Sequence, residues 1–303
     1  MPSGAYLPYR TPRPFCPCTS TRTFVKISIA IPSLNYGQFL RQCLESIRIQ
    51  SHGDFEVLIG DGGSTDDSLA IIEEYTSRDS RFRLVSTRDL SQADSINRSL
   101  ALATGDIHGW LNADDQYLCT DVFEAVVGAM SHYTTTHLVS FGAWVVDLAG
   151  RPTRQVRLRY HPRDNFEWMR RRIAVVQPAT FWRREVTERF PLRTDLHFVL
   201  DGWFFYEAYC EFSWIELSKP VAGIRAHAGN KSTQIISERV SELARLESLK
   251  YGRGHWRSGY LHVISFLVAT VGSIPLVGPL VRRAIYLTVN SLAYLSFYRL
   301  PGM

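Results

Sequence analysis

The sequence predicts an α/β fold with a mostly parallel central sheet and a C-terminal apolar helical appendage, and three observations predict it. Short β-branched runs alternate with helix-like segments through the first 150 residues. Polar residues close several of those runs, at the strand ends where open parallel sheets collect ligands. The chain from Tyr260 onward is apolar and almost without charge.

The elements follow in order. Met1 to Thr23 is rich in Pro, Ser, Thr and Arg and reads as a disordered lead-in without a signal peptide. Val25 to Ile31 is a strand closed by Pro32, and Gln38 to Gln50 places Phe39, Leu40, Cys43, Leu44 and Ile47 on one helical face. Phe55 to Ile59 is a second strand ending in Gly-Asp-Gly-Gly. After it, Ser64 or Thr65 is expected to cap a helix with Asp66 and Asp67 in its first turn. Phe82 to Val85 is a third strand, and Ser91 with Asp94 forms a capping box for a helix through Leu102. Ile107 to Leu111 is a fourth strand, closed by Asn112-Ala113-Asp114-Asp115. A helix over 121–130 and a strand over 137–146 come next. Beyond Gly150 the alternation fades, until Ser237 to Lys250 reads as an amphipathic helix edged by Val240, Leu243 and Leu246 or Leu249.

Charge and cysteine usage narrow the function classes. The net charge is +5, and twelve arginines stand against four acidic residues between Arg151 and Arg193, which favours anionic partners. The triplet Arg170-Arg171-Arg172 could serve membrane apposition, an acceptor phosphate or a plain solvated face. Neither finger spacing nor an aromatic-interleaved basic module is present, so nucleic acid is not expected as a partner. Five scattered cysteines argue against a disulfide framework and for a reducing, cytoplasmic compartment. Tyr260 to Val281 and Ala284 to Tyr298 carry no Asp, Glu, Lys or Arg, but Gly272, Pro275, Gly278 and Pro279 interrupt the first stretch. The tail reads as a helical hairpin on a membrane face, with a core-closing appendage and a true span as alternatives.

Four segments in order carry a family resemblance: IAIPSLNYGQFLRQCLESI, VLIGDGGSTDDSLAII, QADSINRSLALATGDIHGWLNADD and VVQPATFWRREV. The chain resembles the family 2 glycosyltransferases, inverting enzymes of the GT-A fold, among them transferases of bacterial polysaccharide and glycolipid assembly. A dinucleotide oxidoreductase is excluded, because Pro32-Ser33-Leu34-Asn35-Tyr36 stands where Gly-x-Gly-x-x-Gly would follow the first strand. After the disordered tail over 1–23 that composition suggests, the resemblance implies a transferase domain over 24–236, with a nucleotide-binding half to residue 118 and an acceptor half from 119. A membrane-associating helical region follows over 237–303.

Adjacent carboxylates such as Asp114 and Asp115 repel unless a cation joins them, and a hard divalent ion does this while taking phosphate oxygens. The resemblance implies the same: Asp114, Asp115 and His227 as ligands of Mn²⁺ or Mg²⁺. It also implies nucleotide-sugar contacts by Pro32, Asn35, Asp61, Asp94, Asn97, Asn112, Asp114 and Lys231. Asp61 can accept from the imide N–H of uracil or thymine, which fits a UDP or dTDP donor, although Asp-Gly-Gly is also ordinary turn chemistry. Asn112 stands where many relatives carry a further Asp, and Ser91 where they carry Gly. Gln177, Pro178 and Trp182 are expected at the acceptor pocket. Asp201, in an apolar and aromatic stretch, aligns with the general base, a cap at a buried helix start being the plainer alternative.

The expectation is therefore a hexosyltransferase-type enzyme moving a sugar from a nucleotide-diphosphate donor to a saccharide or lipid-linked saccharide acceptor. It would work peripherally on the inner face of the membrane. A catalytically inactive relative acting as a membrane-docked scaffold is the alternative.

Overall fold

The computed structural model describes residues 25–86, 90–156 and 175–227, with Ser241, Glu242, Arg245 and Leu246 of a further helical turn. The expectations for the N-terminal lead-in, for Arg170-Arg171-Arg172, for Lys231 and for the apolar tail lie outside the described residues. Among the described residues, no helix is long and apolar enough to cross a membrane.

Along the chain run β1 (Ile27–Ser33), α1 (Gly37–Arg48), β2 (Phe55–Asp61), α2 (Ser68–Arg78), β3 (Phe82–Ser86), α3 (Gln92–Ala101), β4 (Ile107–Trp110), β5 (Gln116–Tyr117) and α4 (Val122–His132). Then follow β6 (Leu138–Val146), β7 (Pro152–Val156), a 3₁₀ turn (Gln177–Ala179), β8 (Thr180–Arg183), α5 (Arg184–Arg189), α6 (Leu200–Glu211) and β9 (Trp214–Arg225). The sheet order is β3-β2-β1-β4-β8-β6-β9-β5, with β7 on β6. The first four strands are mutually parallel, and so are β6 and β9; β8, β5 and β7 pair antiparallel.

Burial explains the layers. Every residue of β1 and β2 is buried, as expected of strands covered on both faces. On one face Ile27, Ile29 and Ile31 pack with Leu40, Cys43, Leu44 and Ile47 of α1 and with Phe123 and Val126 of α4. On the other, Ala30 and Trp110 pack with Ala93, Ile96 and Leu100 of α3 and with Phe204, Phe205 and Ala208 of α6. The apolar face foreseen for α1 is the one it buries, and Ser91 caps α3 by accepting from Asp94 N.

Helix α2 corrects an expectation. It begins at Ser68, not after Ser64 or Thr65, because those two residues are drawn to partners outside the helix. Ser64 donates to Asp61 through both its backbone N–H and its hydroxyl, and Thr65 N donates to Asn35 Oδ1. Asp66 then accepts from Ser68 N and Gly37 N, so one carboxylate serves the starts of α1 and α2. The two-residue strand β5 is also unforeseen, being too short to show a period.

Arginines 183 and 184 of the basic stretch point inward, to the carbonyls of Met130, Thr134 and Thr136 and of Thr104 and Gly105 respectively. Arg189 pairs with Glu211 and Arg193 with Asp195. Much of the positive charge in the described part of that stretch is thus met by partners within the chain.

Helix α6 has no capping side chain of its own at Val199. Glu242 supplies one, accepting from His197 N, Phe198 N and Val199 N at 2.7, 2.8 and 3.2 Å. Beside it Leu246 is fully buried in the second core cluster, as its place on an amphipathic edge predicts, and Arg245 pairs with Asp195.

Glu56, at the amino-terminal edge of β2, gives a stability prediction. Burial alone would raise its carboxyl, but bonds from Thr104 N, the Ser28 and Thr104 hydroxyls and the nearby Lys26 ammonium overcome that and hold it at about 2. A carboxyl held below its unfolded value stabilises above pH ~4.5, and the stabilisation is lost as pH falls toward ~2. Glu56→Gln is expected to cost about 2–3 kcal/mol at pH 7 and to flatten the stability profile over that window, as followed by urea unfolding at stepped pH. An unchanged profile would assign the acid sensitivity to other carboxylates.

Candidate active site

The parallel strands β1, β2 and β4 end on the same edge of the sheet, with Ser33 in register with Asp61. The loops leaving them build the candidate site. Asn35 takes a left-handed conformation, φ 57°, which its short polar side chain tolerates better than most. Its Oδ1 accepts from Thr65 N at 2.8 Å, and its N–H donates to Ser64 Oγ at 2.9 Å. Asp61 is buried and accepts from Gly63 N, Ser64 N and Ser64 Oγ at 2.9, 2.8 and 2.6 Å. Asn35 and Asp61 therefore fix one loop pair, with Pro32 buried in β1 beneath it.

The acid loop after β4 is the centre of the second group. Asn112 Oδ1 accepts from Trp110 Nε1 at 2.8 Å and Gln92 Nε2 at 3.1 Å. Its Nδ2 donates to Gln177 Oε1 at 3.1 Å and, more weakly at 3.5 Å, to Asp115 Oδ2. Gln177 closes the circuit by donating to the Trp110 carbonyl. An amide at 112 both accepts and donates, whereas a carboxylate has no proton to give Gln177 or Asp115.

Asp114 Oδ2 lies 3.0 Å from His227 Nε2, each side chain only 10% exposed. Asp115 turns inward, its Oδ1 accepting from Arg225 N at 3.0 Å. Burial first, and then the charge of Asp114, pushes the Asp115 carboxyl well above the usual carboxylate range. Tyr36 joins the two groups. Burial and then the charges of Asp114 and Asp115 push its phenol up to about 12, and its ring meets that of His227 edge-on. Phe39 is the second ring to pack against His227, centroids 4.9 Å apart.

The structure thus brings together Asn35, Asp61, Asn112, Asp114, Asp115, Gln177 and His227, with Asp94 at the start of α3 two residues after Gln92. Three expectations change. Trp182 does not border an acceptor pocket: it is fully buried in β8, against Phe204 and Phe205, with its indole N–H on Thr187 Oγ1. Asn97 spends both ends of its amide on the backbone of Leu192, each at 2.8 Å, and so ties α3 to the chain leading into α6. Gln177 and Pro178 are buried and support Asn112 from behind. Asp201 is half-buried in the first turn of α6, its Oδ1 accepting from Gly202 N at 2.7 Å. The preceding Val199 and Leu200 pack in the cluster that holds Trp110.

Sequence reasoning missed Tyr36, Trp110 and Arg225. Arg225 stands two residues before His227, and that adjacency was the one available signal. A cleft of about 910 Å³ opens nearby between α1 and α2, yet its lining arginines Arg41, Arg48 and Arg78 are paired with Glu74 and Glu45.

Residues 28–190, more than half of the chain, match the family model described as Glycosyl transferase family 2. A PGL/p-HBAD biosynthesis glycosyltransferase of Mycobacterium bovis is 39% identical over 114 residues, 37% of this chain and 44% of that one. A chondroitin synthase of Escherichia coli is 34% identical over 36% of this chain and 17% of its own length. These matches therefore span less than half of the curated relatives. Among solved structures, S. aureus TarS 1-349 in complex with UDP-GlcNAc superposes with a TM-score of 0.61 at 16% identity, covering 87% of this chain and 80% of that one. Glucosyl-3-phosphoglycerate synthase from Mycobacterium tuberculosis, in complex with Mn²⁺, UDP and phosphoglyceric acid, gives 0.53 at 17% identity, covering 78% and 79%. The architecture is the GT-A-like α/β fold that the sequence led us to expect, and the chain belongs to glycosyl transferase family 2.

Proposed function

We propose that this chain transfers a sugar from a nucleotide-diphosphate donor, of UDP or dTDP type, to an acceptor hydroxyl with inversion at the anomeric carbon. The observation that carries the reading is the Asp114–His227 pair at the carboxyl edge of the parallel strands. The relatives whose structures hold Mn²⁺ or nucleotide sugars support it by family likeness.

The pair fits a divalent ion. An oxygen and a nitrogen 3.0 Å apart match two neighbouring ligands of an octahedral ion at about 2.1 Å from each. Among the described residues no group of three His, Cys, Asp or Glu is placed to hold an ion, and Asp115, expected as a further ligand, instead turns to Arg225 N. Mg²⁺ and Mn²⁺ need only one or two carboxylates and fill their remaining positions with phosphate oxygens and water. When bound, such an ion neutralises charge gathering on the departing diphosphate.

The chain's own residues have the following work. Asp61 accepts the imide N–H of the base, on the loop it shares with Asn35 above Pro32. Asn112 keeps Asp115 and the acid loop in place, with Asp94 and Lys231 on the ribose and diphosphate side. Asp201 accepts the proton of the acceptor hydroxyl as that oxygen attacks the anomeric carbon and the bond to the diphosphate breaks. One displacement inverts the centre, so no enzyme nucleophile is required. The acceptor is a saccharide or lipid-linked saccharide, reached at the cytoplasmic face of a membrane.

Incubating the purified protein with a panel of nucleotide sugars, with and without Mn²⁺, is expected to release nucleotide diphosphate from one pyrimidine donor only when metal is present. No release from any donor would favour an inactive relative. Product NMR showing a retained anomeric configuration would overturn the single displacement.

A further inference from the structure

Arg225 ends β9 and is completely buried, although most arginines hold their charge in water. A guanidinium has five N–H groups in a fixed planar fork, and here each of them donates. Nε donates to the carbonyl of Asp114 at 2.8 Å. Nη1 donates to the carbonyls of Asp147 and Leu148 at 2.9 and 2.7 Å. Nη2 donates to Gln42 Oε1 and Gln116 Oε1 at 2.7 and 3.0 Å. The five acceptors are neutral oxygens on four separate segments: the acid loop, the β6–β7 turn, α1 and β5. The carbon of the guanidinium also lies 4.9 Å from the ring centre of Phe39, the ring that packs on His227.

The same two glutamines are themselves held from the far side. Gln42 Nε2 donates to the Ala149 carbonyl and Gln116 Nε2 to the Gly150 carbonyl, at 3.3 and 2.9 Å. Gly150 has φ 82°, and a Cβ there would collide with both glutamine side chains. Arg225 is therefore the middle of a braced frame whose two ends are the β6–β7 turn and the acid loop.

We propose that Arg225 is a positioning residue that sets the separation of Asp114 and His227. It grips Asp114 by the main-chain carbonyl and Asp115 by its own N–H. His227 follows it by two residues, so the frame holds both members of the pair from the protein side. Charge compensation alone would need only a cation; the fork geometry is what joins four segments, and lysine cannot reproduce it. This inference rests on the metal reading above.

The test uses the full chain and UDP as the probe, measured by calorimetry with Mn²⁺ titrated and again in EDTA. Arg225→Lys keeps the charge and loses the fork. It is expected to raise the Mn²⁺ concentration for half-saturation roughly 10–100-fold while metal-free UDP affinity changes by no more than about twofold. Gln42→Ala removes one acceptor from an exposed position on α1 and is expected to shift the half-saturation in the same direction by less. An unchanged Mn²⁺ requirement in folded Arg225→Lys overturns the proposal. So does a loss of metal-free UDP affinity in step with the metal effect, which marks general damage to the fold. If Arg225→Lys does not fold, Gln42→Ala decides, and an unaltered half-saturation there overturns it. A wild-type protein whose UDP binding ignores Mn²⁺ refutes the metal reading itself, a result distinct from either.

Discussion

Replacing Asp114 with Ala is expected to raise the Mn²⁺ concentration needed for nucleotide binding by ~100-fold or more, since even supporting residues of metal sites cost 10–100-fold. The substitution leaves His227 as the single remaining member of the pair and removes the carboxylate that faces it at 3.0 Å. It also removes a charge that disfavours ionisation of buried Asp115. The acid loop itself should hold, because Arg225 grips residue 114 through its carbonyl and Asn112 is fixed by Trp110, Gln92 and Gln177. Titration of nucleotide binding with Mn²⁺ checks this directly. An unaltered titration would remove Asp114 from the metal assignment.

Asp201→Asn is expected to lower kcat by ~10³, within the 10²–10⁴ range for loss of a general base. Donor affinity should change little, because the substitution is nearly isosteric and Asn can still accept from Gly202 N as Asp201 does at 2.7 Å. The amide cannot take up a proton, so the acceptor hydroxyl loses its base while the helix start stays intact. Measuring kcat beside donor Kd separates the roles. Equal loss of both would make Asp201 a structural residue of α6.

The first half of the fold was legible because its strands and helices are long enough to show their periods. β1 and α1 were placed within a few residues, and the Ser91 cap of α3 was read from two residues three apart. What failed was set by distant partners. Ser64 and Thr65 look like helix caps until Asp61 and Asn35 claim them. Trp182 looks like a sugar platform beside Gln177-Pro178, yet a four-residue strand in mid-sheet buries it, and so short a strand leaves no periodic trace. In the site, Asp114 and His227 were expected near one another from the sequence, and they lie 3.0 Å apart. Their frame was not legible, because Gln42, Gln116 and Arg225 are ordinary polar residues until the fold joins hydrogen-bond partners as much as 183 positions apart.

The carboxylate of Glu242 has a bearing on how the molecule can be divided. Three amide protons at the mouth of α6 have their acceptor in a side chain more than forty positions downstream. Losing such an acceptor costs about 1–3 kcal/mol where the amide is out of water, as at buried Val199, and less at exposed His197. The start of the helix bearing Asp201 consequently depends on Glu242, and a fragment cut before residue 242 would leave those amides without that acceptor.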